Sequence, residues 1–145
     1  MAHMLQKPEE KPGVMITLLG GQGTGKGTFF KLLSAIWPNT TLQVADVNHV
    51  VSNFNAAIER NYVLCMDEAF FAGDKKNMDR LKSLITEPVI TIEQKYQPRR
   101  TIDSFHRYFA ASNHDHFAQV DNDDRRFAFF EVSEKRKGDF EYWEQ

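Results

Sequence analysis

The chain has 145 residues, 41% of them hydrophobic and 26% charged, with a formal net charge of −2. That length suits one domain with a real core, and the composition is that of an ordinary globular protein, not a disordered or fibrous one. A slightly acidic balance excludes global attraction to nucleic acid, so any such contact has to come from a local patch.

The start, Met1-Ala2-His3-Met4, looks like an expression-vector remnant, and Gln6 to Gly13 reads as a polar linker. Residues 1–13 are therefore set apart, His3 included, and the chain is expected to be a fragment of something longer. Residues 14–135 are the expected core and 136–145 a tail or the start of a next element. No apolar run approaches about 18 residues and no signal peptide is visible, so the expected setting is cytoplasmic with no membrane.

The first core element is the apolar run Val14 to Leu19, a predicted strand. It leads into Gly20-Gly21-Gln22-Gly23-Thr24-Gly25-Lys26-Gly27-Thr28 and then Phe29 to Ile36, a predicted helix. Strand, glycine-rich turn, helix is the order of a phosphate-binding loop. Backbone N–H groups and a helix N-terminus converge on one spot, and Lys26 reaches toward the terminal phosphates of a bound ATP. The loop residues Gly21, Gln22, Gly23, Thr24, Gly25, Lys26, Gly27 and Thr28 are the expected nucleotide contacts. One departure stands out: the pattern wants Ser or Thr directly after the lysine to place a hydroxyl on Mg²⁺, and this chain has Gly27 there. One residue along a helix turns a side chain by roughly 100°, so Thr28 is no simple replacement. Either Thr28 reaches the ion through a water, or water alone fills that position.

Trp37-Pro38-Asn39 stops the helix. Thr41 to Val44 is a predicted short strand, Val47 to Ile58 a helical or mixed segment, and Tyr62 to Met66 a continuous apolar strand of the kind a parallel sheet buries on both faces. The lone Cys65 inside that run reads as a small buried hydrophobe. Met78, Leu81, Leu84 and Ile85 mark an amphipathic helix ending near Pro88. Val89 to Lys95 and Arg100 to Ile102, joined through Pro98, read as a β-hairpin. Tyr108 to Asn113 and Phe127 to Val132 complete the predicted strands. Strands alternating with helices give an α/β fold with a mostly parallel sheet.

Four positions follow from that arrangement. Asp67 and Glu68 end a buried strand, where a doubly wound sheet opens its ligand crevice. Asp67 is placed to hold Mg²⁺ and Glu68 to polarise an attacking water. Asn113 ends another strand of the same sheet, placed to orient that water, although a strand-ending Asn also caps turns. Arg125 and Arg126 follow Asp121-Asn122-Asp123-Asp124 and are either surface ion pairs or an arginine finger for a neighbouring subunit's γ-phosphate. Lys95, Arg99, Arg100, His106 and Arg107, with Tyr96 among them, form a local basic stretch suited to a nucleic-acid backbone or to a solvated edge hairpin.

Taken in order, the loop with Lys26, Met66-Asp67-Glu68, Lys95 in a hairpin, Ser112-Asn113 and Asp124-Arg125-Arg126-Phe127 resemble superfamily 3 helicases, the AAA+-related motors of viral and phage replication. The likeness is nearest to the primase-helicase branch, whose loop also reads Gly-Thr-Gly-Lys-Gly-Thr, and it covers about residues 14 to 132. It implies a P-loop NTPase of AAA+ type, a three-layer sandwich with an inserted hairpin. It implies Lys26 as the Walker A lysine, Asp67 and Glu68 as the Walker B pair, and Asn113 as sensor. Arg125, or Arg126, would be the finger, and Lys95 the hairpin lysine gripping single-stranded DNA. The implied partners are single-stranded DNA and further copies of the chain in a homo-hexamer of the full-length parent, with ATP and Mg²⁺ as cofactors. Two other readings remain: a nucleotide-switched DNA-binding module with little turnover, and an adenylate-kinase-like phosphotransferase, whose loop also carries Gly-Lys-Gly-Thr.

Overall fold

A computed structural model describes residues 1–52, 55–67, 75–113, 123–139 and 142. In chain order the elements are α1 (Ala2–Gln6), β1 (Met15–Leu19), α2 (Lys26–Ile36), β2 (Thr41–Val44), α3 (Asn48–Val51), a 3₁₀ turn (Ala56–Ile58), β3 (Val63–Met66), α4 (Lys75–Thr86), β4 (Val89–Ile92), β5 (Arg100–Asp103), β6 (Arg107–Ser112) and β7 (Phe127–Glu131). Five strands form one sheet in the order β2-β3-β6-β1-β7, and every neighbouring pair is parallel. This is the α/β fold with a mostly parallel central sheet that the alternating pattern predicts. The hairpin is present too: β4 and β5 pair antiparallel as a separate two-stranded sheet, with Ile90 opposite Ile102.

The central strands explain their own sequences. All of β3 and all of β6 are buried, which requires side chains that suit apolar surroundings on both faces. Alternation then divides them. Leu64, Met66, Tyr108 and Ala110 join Met15, Leu81, Leu84, Ile85 and the inner residues of the hairpin on one face. Val63, Cys65, Phe109 and Ala111 pack with Phe30 and Leu33 of α2 and with Met4 on the other. The sheet is thus covered on both sides, and each fully buried Leu, Ile or Phe contributes roughly 1.5–3 kcal/mol of apolar burial. Burial also pushes the Cys65 thiol up to about 12, helped by the nearby Asp67 carboxylate, so Cys65 is the inert core residue expected of it.

The mixed segment at 47–58 resolves into α3 and the 3₁₀ turn, with Val50, Val51 and Ile58 buried. Asn55 replaces helical continuity there. Its side-chain amide donates to the Thr91 carbonyl (3.0 Å) and its oxygen accepts from the Glu93 N–H (3.0 Å), tying this turn to the hairpin.

The N-terminal segment differs from the expected free linker. Met4 is buried against the α2 face, and the Tyr62 hydroxyl donates to the Met4 carbonyl at 3.1 Å. Lys11 donates to the carbonyls of Leu84 (2.6 Å) and Glu87 (2.7 Å) and to Ser104 Oγ (2.5 Å). Arg107 reaches the carbonyls of Lys7 and Glu10. Polar composition suggested a solvated strand of chain, but the charges are consumed by the fold.

Candidate functional site

Parallel strands put all their C-terminal ends on one edge of the sheet. Register places Leu19 beside Ser112, Met66 beside Ala110 and Val44 beside Met66, so Gly20, Asp67 and Asn113 follow strand ends on that same edge. Because β6 lies between β1 and β3, Asn113 stands between the glycine-rich loop and Asp67. The three elements enclose a cavity of about 810 Å³ lined by residues 22–28, Lys31, Asp67 and residues 111–113.

The loop itself is held from several sides. The Gly20 N–H donates to the Ser112 carbonyl (3.2 Å), and Thr24 Oγ1 donates to the Gly21 carbonyl (2.9 Å). Gly25 caps α2 with φ +94°, a left-handed conformation that a β-carbon disfavours. The ammonium of Lys26 donates to the carbonyls of Gly20 (2.6 Å) and Gly21 (2.8 Å). These neutral acceptors leave the charge uncompensated, and a phosphate oxygen would take their place with a stronger, charge-assisted bond.

Asp67 closes β3, its N–H donating to the Val44 carbonyl at 2.8 Å. Mg²⁺ keeps several waters and asks for one or two protein carboxylates beside the phosphate oxygens. Asp67 in the cavity wall fits that demand, with Thr28 in the same wall as the hydroxyl beyond Gly27. Among the described residues no group of three or more His, Cys, Asp or Glu gathers elsewhere to hold a metal. Glu68 lies outside the described residues.

The two arginines after Asp124 part company. Arg126 Nε donates to Asp124 Oδ1 at 2.8 Å, its N–H donates to the same oxygen at 3.1 Å, and Lys82 pairs with the other carboxylate oxygen at 3.0 Å. Burial works against ionisation of Asp124, yet Arg126 and Lys82 outweigh it and hold the carboxyl down at about 2. Arg125 is exposed. Both arginines precede Phe127, which pairs with Met15 at the start of β1, so they flank the edge of the sheet opposite the loop. The five residues of β1 rise roughly 16 Å, which keeps either guanidinium from its own chain's loop.

The hairpin presents Lys95, Tyr96, Arg99 and Arg100 as exposed residues. Tyr96 is fully exposed and held at φ +64°, a conformation that costs a non-glycine residue on the order of 1 kcal/mol. Arg99 pairs with Glu93 at 3.0 Å and Arg100 with Glu59. The basic stretch is shorter than the sequence implied. His106 and Arg107 are buried, 5% and 3% exposed, at the start of β6. Arg107 donates to the Phe105 carbonyl at 2.8 Å and stacks 5.1 Å from the Tyr62 ring.

Sequence reasoning missed three loop neighbours. Lys31 shares the cavity wall. A β-carbon on Gly21 would overlap Glu134 Oε1, and one on Gly23 would stand 3.5 Å from Lys137 Cε. The segment after β7 therefore runs alongside the loop, drawn there by the Val132 N–H donating to the Leu19 carbonyl (2.7 Å). The parallel pairing of β7 with β1 was the available signal, since it carries whatever follows Glu131 to the loop's edge.

With this geometry in place the chain can be set beside known proteins. Residues 18–126 match the model of DUF5906, a family of unknown function, and the chain belongs to that family. It is 29% identical over 139 residues to the DNA primase-polymerase of Nitratiruptor phage NrS-1, covering 93% of this chain and 19% of that protein. The chain thus spans about a fifth of the relative it matches. The apo structure of the NrS-1 C-terminal region superposes with a TM-score of 0.76 at 29% identity, over 91% of this chain and 32% of the other. The JCV helicase structure shares the fold, with a TM-score of 0.55 at 16% identity over 88% of this chain and 36% of the other. No helix among the described residues is long and apolar enough to cross a membrane.

Proposed function

We propose that this domain is a P-loop NTPase of AAA+ type that binds ATP with Mg²⁺ in the 810 Å³ cavity and hydrolyses it to move single-stranded DNA through a ring of subunits. The observation that carries the reading is the meeting of Lys26, Asp67 and Asn113 from three adjacent strands around one polar cavity at the C-terminal edge of the sheet. Lys26 would bind the β- and γ-phosphates, and the loop N–H groups would cradle them. Bound Mg²⁺ would neutralise charge on the phosphate oxygens, held through Asp67 with Thr28 nearby. Asn113 would orient the attacking water, and Glu68 would polarise it. Arg125, exposed and on the far edge, is the finger we assign to a neighbouring subunit's site, while Arg126 braces it through Asp124. The match to a phage primase-polymerase and the shared helicase fold support a role in DNA replication. The exposed Tyr96 with Lys95, Arg99 and Arg100 supports contact with single-stranded DNA by stacking and charge.

Lys26→Ala is expected to weaken ATP binding by about a hundredfold or more, the loss of a charge-assisted phosphate contact in a partly enclosed site. Glu68→Gln should keep binding and stop turnover. Turnover measured with and without single-stranded DNA, at protein concentrations spanning assembly, tests the motor. Normal ATP affinity in Lys26→Ala would overturn the site. Tight ATP binding with no turnover in an assembled, DNA-bound ring would instead make the domain a nucleotide-controlled DNA-binding switch.

A further inference from the structure

Gly27 leaves a gap in the phosphate site. A β-carbon placed there would meet nothing within 4 Å, so the position normally filled by a hydroxyl-bearing side chain is open space in the cavity wall. Helical side chains tilt toward the helix N-terminus, and residues i and i+4 share a face. Lys31 therefore lies over Gly27, one turn further along α2. Both line the same cavity as Lys26, Asp67 and Asn113. Lys31 is exposed, and among the described residues no hydrogen bond or ion pair engages its ammonium. Lys82 and Lys137, by contrast, face Asp124 and Glu134.

We propose that Lys31 is a second phosphate-binding cation, reaching across the bare backbone of Gly27 to the polyphosphate on the side where the missing hydroxyl would have helped to hold Mg²⁺. The inference rests on the nucleotide-binding reading above and names a residue which that reading does not use. An ammonium donates to phosphate oxygens and cannot coordinate a metal ion. Lys31 thus neutralises phosphate charge directly, in competition with Mg²⁺ for the same oxygens. The consequence is nucleotide affinity that leans less on divalent metal than a loop with Ser or Thr after its lysine. A threonine at 27 would refill the gap, restore the hydroxyl and make Lys31 less important.

The test is ATP affinity by calorimetry, in Mg²⁺ and in EDTA, for the wild-type chain, Lys31→Ala, Lys31→Arg, Gly27→Thr and the Gly27→Thr/Lys31→Ala pair, with Lys26→Ala as the reference for the site. Lys31→Ala is expected to lose about tenfold in EDTA, the size of one charge-assisted hydrogen bond, and less in Mg²⁺. Lys31→Arg should retain affinity, because it keeps the charge. Gly27→Thr should raise the gain conferred by Mg²⁺, and in its background Lys31→Ala should cost less. Lys31 is exposed, so the thermal midpoint should not move. If Lys31→Ala matches the wild type within twofold in both conditions while Lys26→Ala has lost binding, the role of Lys31 is wrong and the site stands. If the wild type binds no ATP in either condition, both fail together.

Discussion

The two edges of the central sheet use positive charge in opposite ways. At the edge where β3 and β6 begin, Arg107 and Lys11 are turned inward and bound to carbonyls of neighbouring segments. Where β7 begins, Arg126 and Lys82 are bound to Asp124. At the edge where the strands end, Lys26 touches only two loop carbonyls and Lys31 faces a cavity. A buried cation without partners costs several kcal/mol, so the inward cations are held wherever backbone acceptors can be gathered. A ligand site needs the reverse: charge left under-compensated, to be satisfied by something that arrives. The contrast separates side chains that hold the domain together from side chains kept for an anion.

That contrast breaks most visibly at Arg107. Its guanidinium serves carbonyls of Lys7, Glu10 and Phe105 and covers the Tyr62 ring. Arg107→Ala removes those bonds and leaves carbonyls of the N-terminal segment without donors, which should cost about 3 kcal/mol of stability. Urea unfolding measures this, and Lys26→Ala run alongside should stay within about 0.5 kcal/mol of the wild type. Equal stability losses at Arg107 and Lys26 would dissolve the distinction between the two edges.

A smaller effect is expected at Asp124. Removing its carboxylate by Asp124→Ala leaves Lys82, with a side chain 17% exposed, and the half-buried Arg126 without their shared acid. A loss of about 2 kcal/mol is expected, the scale of hydrogen bonds to a charged group. Arg125→Ala, one residue from Arg126 but exposed, should change stability by less than about 0.5 kcal/mol. If Arg125→Ala proved the more destabilising of the two, the assignment of Arg126 as brace and Arg125 as outward-reaching residue would be reversed.

These pairs also show what a sequence reveals and what it hides. The strands were legible because β1, β3 and β6 are buried on both faces and therefore read as unbroken apolar runs, while Gly23, Gly25 and Pro98 punctuate the chain at turns. The hairpin was legible from two β-rich arms around Pro98. The phosphate loop was legible because its geometry demands glycines, and Asp67 and Asn113 because each follows an apolar run. The fate of individual charges was not. His106 and Arg107 look like surface cations beside Arg99 and Arg100, and nothing local reveals that carbonyls from residues 7 to 10 and 58 close over them. The same limit hid Lys137 and Glu134, which reach the loop only through the parallel pairing of β7 with β1. Long-range contacts decide whether a charge is structural, and composition does not report them.

His106 offers the most delicate test. Lys11 donates to Ser104 Oγ, so the Ser104 hydroxyl hydrogen is directed to His106 Nδ1 (2.9 Å), and the Ile58 carbonyl must accept from Nε2–H (3.0 Å). The network therefore fixes a neutral imidazole protonated at Nε2. Burial holds the His106 pKa below its ordinary 6.5, with the nearby Lys11 ammonium adding to it and the Ile58 carbonyl opposing. The sign follows: below about 6.5 the unfolded chain binds a proton that the folded chain refuses, so stability falls as the pH drops. Asp124, held at about 2 against an ordinary 3.8, loses its contribution only below about pH 4. Lys11, lowered by burial and by Arg107 to about 8, titrates above neutrality. The interval from pH 7 to 5.5 thus isolates His106. His106→Gln keeps an acceptor for Ser104 and a donor for Ile58 but does not titrate. The variant should show a shallower decline of its urea midpoint across that interval than the wild type, and an equal or steeper decline would show that the imidazole is not the group refusing the proton.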